Sequence, residues 1–180
     1  MSEVAVANEP EKPRRRRPRA SASPVVIREM RLEDIPAVFE LGQKIFTAEK
    51  LPTLYRSWDD HELAQLFSAE GDLCLVAEKA GRILGFALGR VMEKPQSAWR
   101  YGWLLWLGVE PSQKGRGVAK RLVTQLTDLF VQKEARIMLV DTDEDNSDAL
   151  LFFRKSGFGQ EIKHVYLSKN LDDYHGKGTD

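Results

Sequence analysis

The chain has 180 residues, 42% hydrophobic and 30% charged, enough for one core and short for two independent ones. Lys plus Arg and Asp plus Glu stand at 27 each, so no global field draws the molecule to nucleic acid or to an anionic membrane. The longest apolar run, Trp103 to Val109, falls far short of the roughly 20 residues that cross a bilayer, and no apolar leader segment follows Met1, which predicts one soluble, cytoplasmic domain.

Residues 1–24 lack periodic apolar positions and are rich in Pro, Arg, Glu, Ala and Ser, so they read as a disordered basic tail. Its cluster Pro13 to Arg19 is either a solvated, solubilising stretch or a contact for RNA, the ribosome, DNA or anionic lipid. A domain is predicted over residues 25–171, with a second short tail over 172–180. Val25 to Ile27 reads as a strand, and Leu32 to Phe46 as a helix with Ile35, Val38, Phe39 and Leu41 inward and Pro36 in its first turn. Ser57 to Asp60 resembles a capping box opening a helix through Phe67. Leu73 to Glu78 and Arg82 to Met92 flank the turn Lys79-Ala80-Gly81, which predicts a hairpin. The lone Cys74 falls in the first of these strands as a small buried hydrophobe.

Tyr101 to Val109 is apolar on both faces, with Trp103, Leu105, Leu107 and Val109 assigned to one side and Leu104 and Trp106 to the other, so it is placed centrally. A helix from Gly117 to Lys133, a strand from Arg136 to Asp141, and a helix from Asn146 to Ser156 closed by Gly157 follow. Two strand-like pieces, Gln160 to Lys163 and His164 to Leu171, end the domain, with His164, Tyr166 and Ser168 on one face and Val165 and Leu167 toward the core. Alternating strands and helices with hairpins at both ends predict an α/β (α+β) fold, a mixed, mostly antiparallel sheet flanked by helices.

The chemistry concentrates between Leu107 and Ala119, where a central strand runs through a Gly-rich turn directly into a helix. Such a turn leaves backbone N–H groups unpaired at the positive end of the helix dipole, and its glycines let a ligand approach the main chain, which suits a pyrophosphate. A Walker A loop is excluded for want of Gly-Lys-Ser/Thr, and the dinucleotide fingerprint because Lys120 stands where Gly or Ala is needed.

Lys114-Gly115-Arg116-Gly117-Val118-Ala119, preceded by Val109-Glu110-Pro111, resembles the acetyl-CoA motif Gln/Arg-x-x-Gly-x-Gly/Ala of the GNAT superfamily of N-acetyltransferases, with Lys114 in place of Gln or Arg. Asn146, Ala149, Phe152, Phe153, Gly157 and Phe158 resemble that family's downstream Asn-x-x-Ala-x-x-Phe-Tyr-x-x-x-Gly-Phe segment, with Phe153 in place of the tyrosine. The resemblance spans roughly Val25 to Leu171. It implies a GNAT-like fold and transfer of an acetyl or other acyl group from acetyl-CoA to a primary amine, either a protein N-terminus or lysine or a small amine. It also implies that amides from Lys114 to Ala119 hold the pyrophosphate, that Leu107, Gly108 and Val109 pair with the pantetheine arm, and that Asn146 and Phe153 lie near the pantetheine and thioester. The cofactor would enter where the strand ending at Val109 splays from the one ending at Asp141.

The oxyanion would meet a backbone N–H of Gly108 or Val109. The family's tyrosine, which protonates the leaving thiolate, is missing here, and a thiol of pKa about 8.5 leaves tolerably without it. No carboxylate lies within Tyr101 to Val109, so Asp143 and Glu49 are the candidate bases, while Asp59 and Asp60 are helix-start charges. Tyr55, Trp58, Trp99 and Trp103 suggest a partly apolar acceptor cleft, and isolated His61 and His175 give no metal site. Two other classes stay open: a non-catalytic acyl-CoA sensor, favoured by the missing acid and base, and a nucleic-acid-binding module using the arginine cluster.

Overall fold

The structure is a computed structural model that describes residues 23–47, 49, 57–93, 95, 99–162, 165 and 167. Five strands form one sheet in chain order: β1 (Val26–Glu29), β2 (Cys74–Lys79), β3 (Arg82–Glu93), β4 (Arg100–Val109) and β5 (Ala135–Val140). The first three pairings are antiparallel and β4 pairs β5 in parallel. A parallel pair needs a crossover, and α3 (Val118–Gln132) supplies it. The other helices are α1 (Ile35–Ile45), α2 (Asp60–Glu70) and α4 (Ser147–Lys155). Among the described residues no helix is long and apolar enough to cross a membrane.

Local chemistry sets the element ends. Pro36 sits in the first turn of α1, where its missing N–H costs nothing. The Asp59 carboxylate accepts the Glu62 amide at 2.7 Å and caps α2, so this helix begins later and runs further than the sequence pattern suggests. The β2–β3 hairpin closes through Ala80 and Gly81, whose φ values of 51° and 77° give the left-handed turn that matches strand twist. Helix α4 ends in a Schellman arrangement at Gly157 (φ 97°): the Phe158 amide reaches the Phe153 carbonyl at 3.1 Å, and the Gly157 amide reaches that of Arg154 at 3.1 Å.

Both faces of the sheet are apolar and both are covered. Leu75, Ala77, Ala87 and Leu104 pack with Leu122, Leu126 and Phe130 of α3 and with Phe153 of α4. Cys74, Val76, Phe86, Leu88 and Trp106 pack on the other face with Val38 and Leu41 of α1 and Leu63 and Leu66 of α2. Each Val, Leu or Phe among them taken fully from water contributes about 1.5–3 kcal/mol before entropy is charged. Arg28 donates to both oxygens of the buried Asp34, at 2.6 and 2.9 Å, and to Glu78 at 2.7 Å, tying β1 to β2 and to the turn before α1. The Arg28 hydrogen bonds hold the carboxyl groups of Asp34 and Glu78 below their usual range. Burial pushes the Cys74 thiol up to about 12, consistent with an unreactive core thiol.

Two expectations need correction. The faces of β4 do not alternate throughout, because Leu88 pairs with Trp106 while Gly89 pairs with Leu104, leaving Leu105 as an extra, bulged residue. Leu105 and Trp106 therefore both pack on the α1–α2 side, whereas Leu104, Leu107 and Val109 pack on the α3 side. Val165 and Leu167, assigned to the core, are 81% and 93% exposed, while most of the hairpin expected at the chain's end, residues 163, 164, 166 and 168–171, lies outside the described residues. His164, Tyr166 and Ser168 lie outside the described residues, as do Tyr55, His175 and the arginine cluster.

Candidate active site

The bulge at Leu105 marks the place where the sheet forks. Pairing between β4 and β5 runs from Arg100↔Ala135 to Leu104↔Val140 and stops, although β4 continues to Val109. The phase of the remaining strand follows from the Glu110 amide, which donates to the Leu84 carbonyl at 2.8 Å. Antiparallel ladders alternate, so Gly108 and Trp106, opposite Phe86 and Leu88, spend their main-chain groups on β3. Those of Leu107 and Val109 face the opposite way, into the fork. A cleft of about 990 Å3 opens there, between the ends of β4 and β5, the start of α3 and the length of α4.

At the far end of the cleft lies the Gly-rich turn that leads into α3. Gly115 and Gly117 adopt φ values of 77° and 78°, which other residues reach only under strain. The amides of Gln113, Lys114 and Arg116 are used in the turn, donating to Glu110, Pro111 and Gln113 carbonyls at 2.8, 3.1 and 3.1 Å. The first amide of α3 to find a helical carbonyl is that of Arg121, on Gly117 at 3.1 Å. Among the described residues those of Gly117, Val118, Ala119 and Lys120 have no backbone acceptor, no side chain caps the helix, and its first turn carries no acid. Four aligned donors at a helix start, with Lys114 and Lys120 on the wall, fit a diphosphate.

Most of the residues singled out in the sequence meet in this one cleft: Leu107, Val109, Lys114, Gly115, Gly117, Val118, Ala119, Asp143, Asn146 and Phe153 all line it. Gly108 does not, since it lies under the Phe86 ring, where a Cβ would come within 2.6 Å of the ring carbons. Arg116 is exposed on the outside of the turn, and Glu49 is exposed on a turn away from the wall. Asn146 also caps α4, its side-chain oxygen accepting the Ala149 amide at 3.2 Å. The Phe153 ring is 8% exposed and meets Phe152 and Phe158 edge to face, with centroids 5.2 and 5.4 Å away. Lys114 donates to Asp148 of α4 at 2.6 Å across the cleft mouth, and that hydrogen bond lowers the Asp148 pKa.

Trp58 belongs to the core more than to a cleft. Its ring lies 5.2 Å from that of Phe86 and 5.1 Å from that of Trp106, and its Nε1–H donates to the Phe39 carbonyl at 3.0 Å. Trp99 is 47% exposed just before β4. His61 is exposed beside Gln65, and among the described residues no group of three or more His, Cys, Asp or Glu could hold a metal. Sequence reasoning passed over Asp141, which also lines the cleft and accepts the Trp103 Nε1–H at 2.8 Å. Its position one residue past β5, at the fork, was the available signal.

Comparison with known proteins agrees with this geometry. The sequence model of the acetyltransferase (GNAT) family matches residues 35–158. An acetyltransferase of Pectobacterium atrosepticum is 28% identical over 147 residues, which is 81% of this chain and 94% of that protein. The mycothiol acetyltransferase of Salinispora tropica is 35% identical over 100 residues, 55% of this chain, which spans only 32% of that longer protein. Among solved structures, aminoglycoside N-acetyltransferase AAC(6')-Iy in complex with CoA superposes with a TM-score of 0.67 at 21% identity, covering 83% of this chain and 97% of that one. The forked sheet, the open helix start beside it and the family match over residues 35–158 lead to one conclusion: the chain belongs to the GNAT acetyltransferase family.

Proposed function

We propose that this protein transfers the acetyl group of acetyl-CoA to a primary amine, and that the fork between β4 and β5 is where the transfer takes place. The observation that carries the proposal is the continuity of one cleft: main-chain groups of Leu107 and Val109, turned away from β3, lead along the β4 edge to amides of Gly117 to Lys120 that are uncapped among the described residues. A pantetheine arm pairs with the first and a pyrophosphate sits on the second. Lys114, which stands where the motif has Gln or Arg, leaves Asp148 to meet a phosphate oxygen, while Asn146 and Phe153 flank the arm from the α4 side.

The amine nitrogen attacks the thioester carbonyl carbon, the N–C bond forms and the C–S bond breaks. The developing oxyanion meets an inward-facing amide of β4, and of the two donors named from sequence the ladder phase leaves Val109, since Gly108 donates toward β3. The amine proton leaves through water, with Asp143 on the cleft wall as its acceptor. The thiolate departs and is protonated by solvent, because Phe153 offers no hydroxyl. Turnover of acetyl-CoA with a panel of alkyl amines, lysine peptides and N-terminal peptides tests this. Release of CoA matched by N-acetylated product supports it, and donor binding without transfer to any amine favours a sensor.

A further inference from the structure

The cleft does not end on the α3 side of the sheet. Four apolar residues of the core beneath α1 and α2, Ile45, Phe46, Leu105 and Trp106, also line it, so it passes through the fork to the opposite face. Two local features bring them there. The bulge turns Leu105 to the same side as Trp106, and Gly108, with no side chain, lets Ile45 lie against the main chain between Leu107 and Val109: a Cβ on Gly108 would stand 3.3 Å from Ile45 Cδ1. The Phe46 ring completes the wall, its centroid 4.8 Å from that of Trp106. The one polar side-chain atom among the four, Trp106 Nε1, donates its proton to Glu62 of α2 at 3.4 Å. The charged residues that line the cleft stand on its other walls, in the Gly-rich turn and the start of α3, the segment after β5, and α4.

Thioester geometry decides what meets this wall. With the pantetheine arm along the β4 edge and the carbonyl oxygen on the Val109 amide, the C–S and C=O bonds both lie near the plane of the sheet. The three substituents of a carbonyl carbon are coplanar, so the acyl group lies in that plane too, directed toward the last rung at Leu104↔Val140. The nucleophile must then approach from one face of the sheet or the other. The α3 face is filled where Leu104, Leu107 and Val109 pack with α3 and Phe153, which leaves the face of Ile45, Phe46 and Leu105. Contact with apolar side chains lowers the pKa of an ammonium and so favours the neutral amine that attacks. We propose that Ile45, Phe46 and Leu105 form a specificity site for the carbon skeleton of the acceptor, so that the preferred substrates are primary amines carried on an apolar alkyl or arylalkyl chain, in place of polyhydroxylated or zwitterionic ones. This inference rests on the donor placement proposed above.

The test measures kcat/KM of the full chain, with saturating acetyl-CoA, for 1-aminohexane and 5-amino-1-pentanol, which match in length and in the reacting amine and differ by a terminal methyl against a hydroxyl. The wild type should prefer 1-aminohexane by about ten-fold or more, since an apolar wall leaves the hydroxyl unpaired. Lengthening the chain from 1-aminobutane should gain roughly four-fold for each methylene that the wall covers, mainly through KM. That wild-type comparison decides the acceptor class without any variant. Ile45→Thr and Leu105→Thr should each narrow the preference by about three-fold or more, while calorimetry with acetyl-CoA gives the wild-type affinity in both. Equal rates for the two amines, or no transfer to 1-aminohexane while acetyl-CoA binds, overturns this inference and leaves the donor placement standing. A preference for hexanoyl-CoA over acetyl-CoA that Ile45→Thr removes also overturns it, because the wall then holds the acyl chain. So does an unchanged preference in both variants. Failure of the wild type to bind acetyl-CoA overturns the donor placement and this inference with it.

Discussion

Replacing Gly117 with valine separates the cost of a strained backbone from the cost of losing a ligand. At φ 78° a β-branched residue is strained by about 1–2 kcal/mol, yet a Cβ built there meets no atom within 4 Å. The fold therefore loses little beyond that strain, and at roughly 2–4 °C per kcal/mol for a chain of this size the melting temperature should fall by about 2–8 °C. Binding suffers more. To escape the strain the residue must rotate toward negative φ, which swings the Gly117 and Val118 amides out of the cleft. A hydrogen bond to a charged group is worth about 1.5–3 kcal/mol, so losing one should weaken acetyl-CoA about 10-fold to 100-fold. Calorimetric titration beside a thermal melt measures both numbers on one sample. A variant with wild-type affinity would refute the diphosphate placement, and one that fails to fold would refute the open space around Gly117.

Further outcomes follow from other parts of the structure. Asp34→Asn leaves Arg28 short of a charged partner and should cost about 1.5–3 kcal/mol at neutral pH. Because the folded-state pKa of Asp34 is depressed, that stability is present above its unfolded value near 3.8 and is lost as pH falls through the lower folded value, so melts of wild type and variant should converge in acid. Phe153→Tyr should leave acetyl-CoA affinity unchanged and hold or raise the rate by giving the leaving thiolate a donor, while the wild-type pH–rate profile should rise without an alkaline fall. Asp143→Asn should lower turnover mainly at acidic pH and by no more than about 10,000-fold, whereas the exposed Glu49→Gln should have little effect. Removal of Met1 to Ser23 should leave the melting temperature and small-amine turnover nearly unchanged.

What could be read from sequence was what is local. The Ala80-Gly81 turn, the glycine start of α3 and the Gly157 close of α4 each require a residue type at a fixed backbone angle, and each was visible. The bulge at Leu105 was not, because β4 is apolar on both faces and a one-residue slip there moves no polar side chain into the core. That slip sets which main-chain groups face the cleft, which is why sequence alone put Gly108 beside Leu107 and Val109 although its main-chain groups turn to β3. Asp141 was missed because its partner Trp103 lies 38 residues away in sequence and only the parallel pairing of β4 with β5 brings them together. Of the segment from His164 to Leu171 only Val165 and Leu167 are described, and both stand exposed where the alternation had set them toward the core, because period two fixes which residues share a face and not which face is covered.

Amide hydrogen exchange with and without saturating acetyl-CoA tests the placement of the donor most directly. Protection should appear at Leu107 and Val109 on β4 and at Gly117 to Lys120 on the start of α3, with the Gly108 amide already slow in the free protein. Protection confined to other segments, or no change along β4, would contradict a donor bound in the fork.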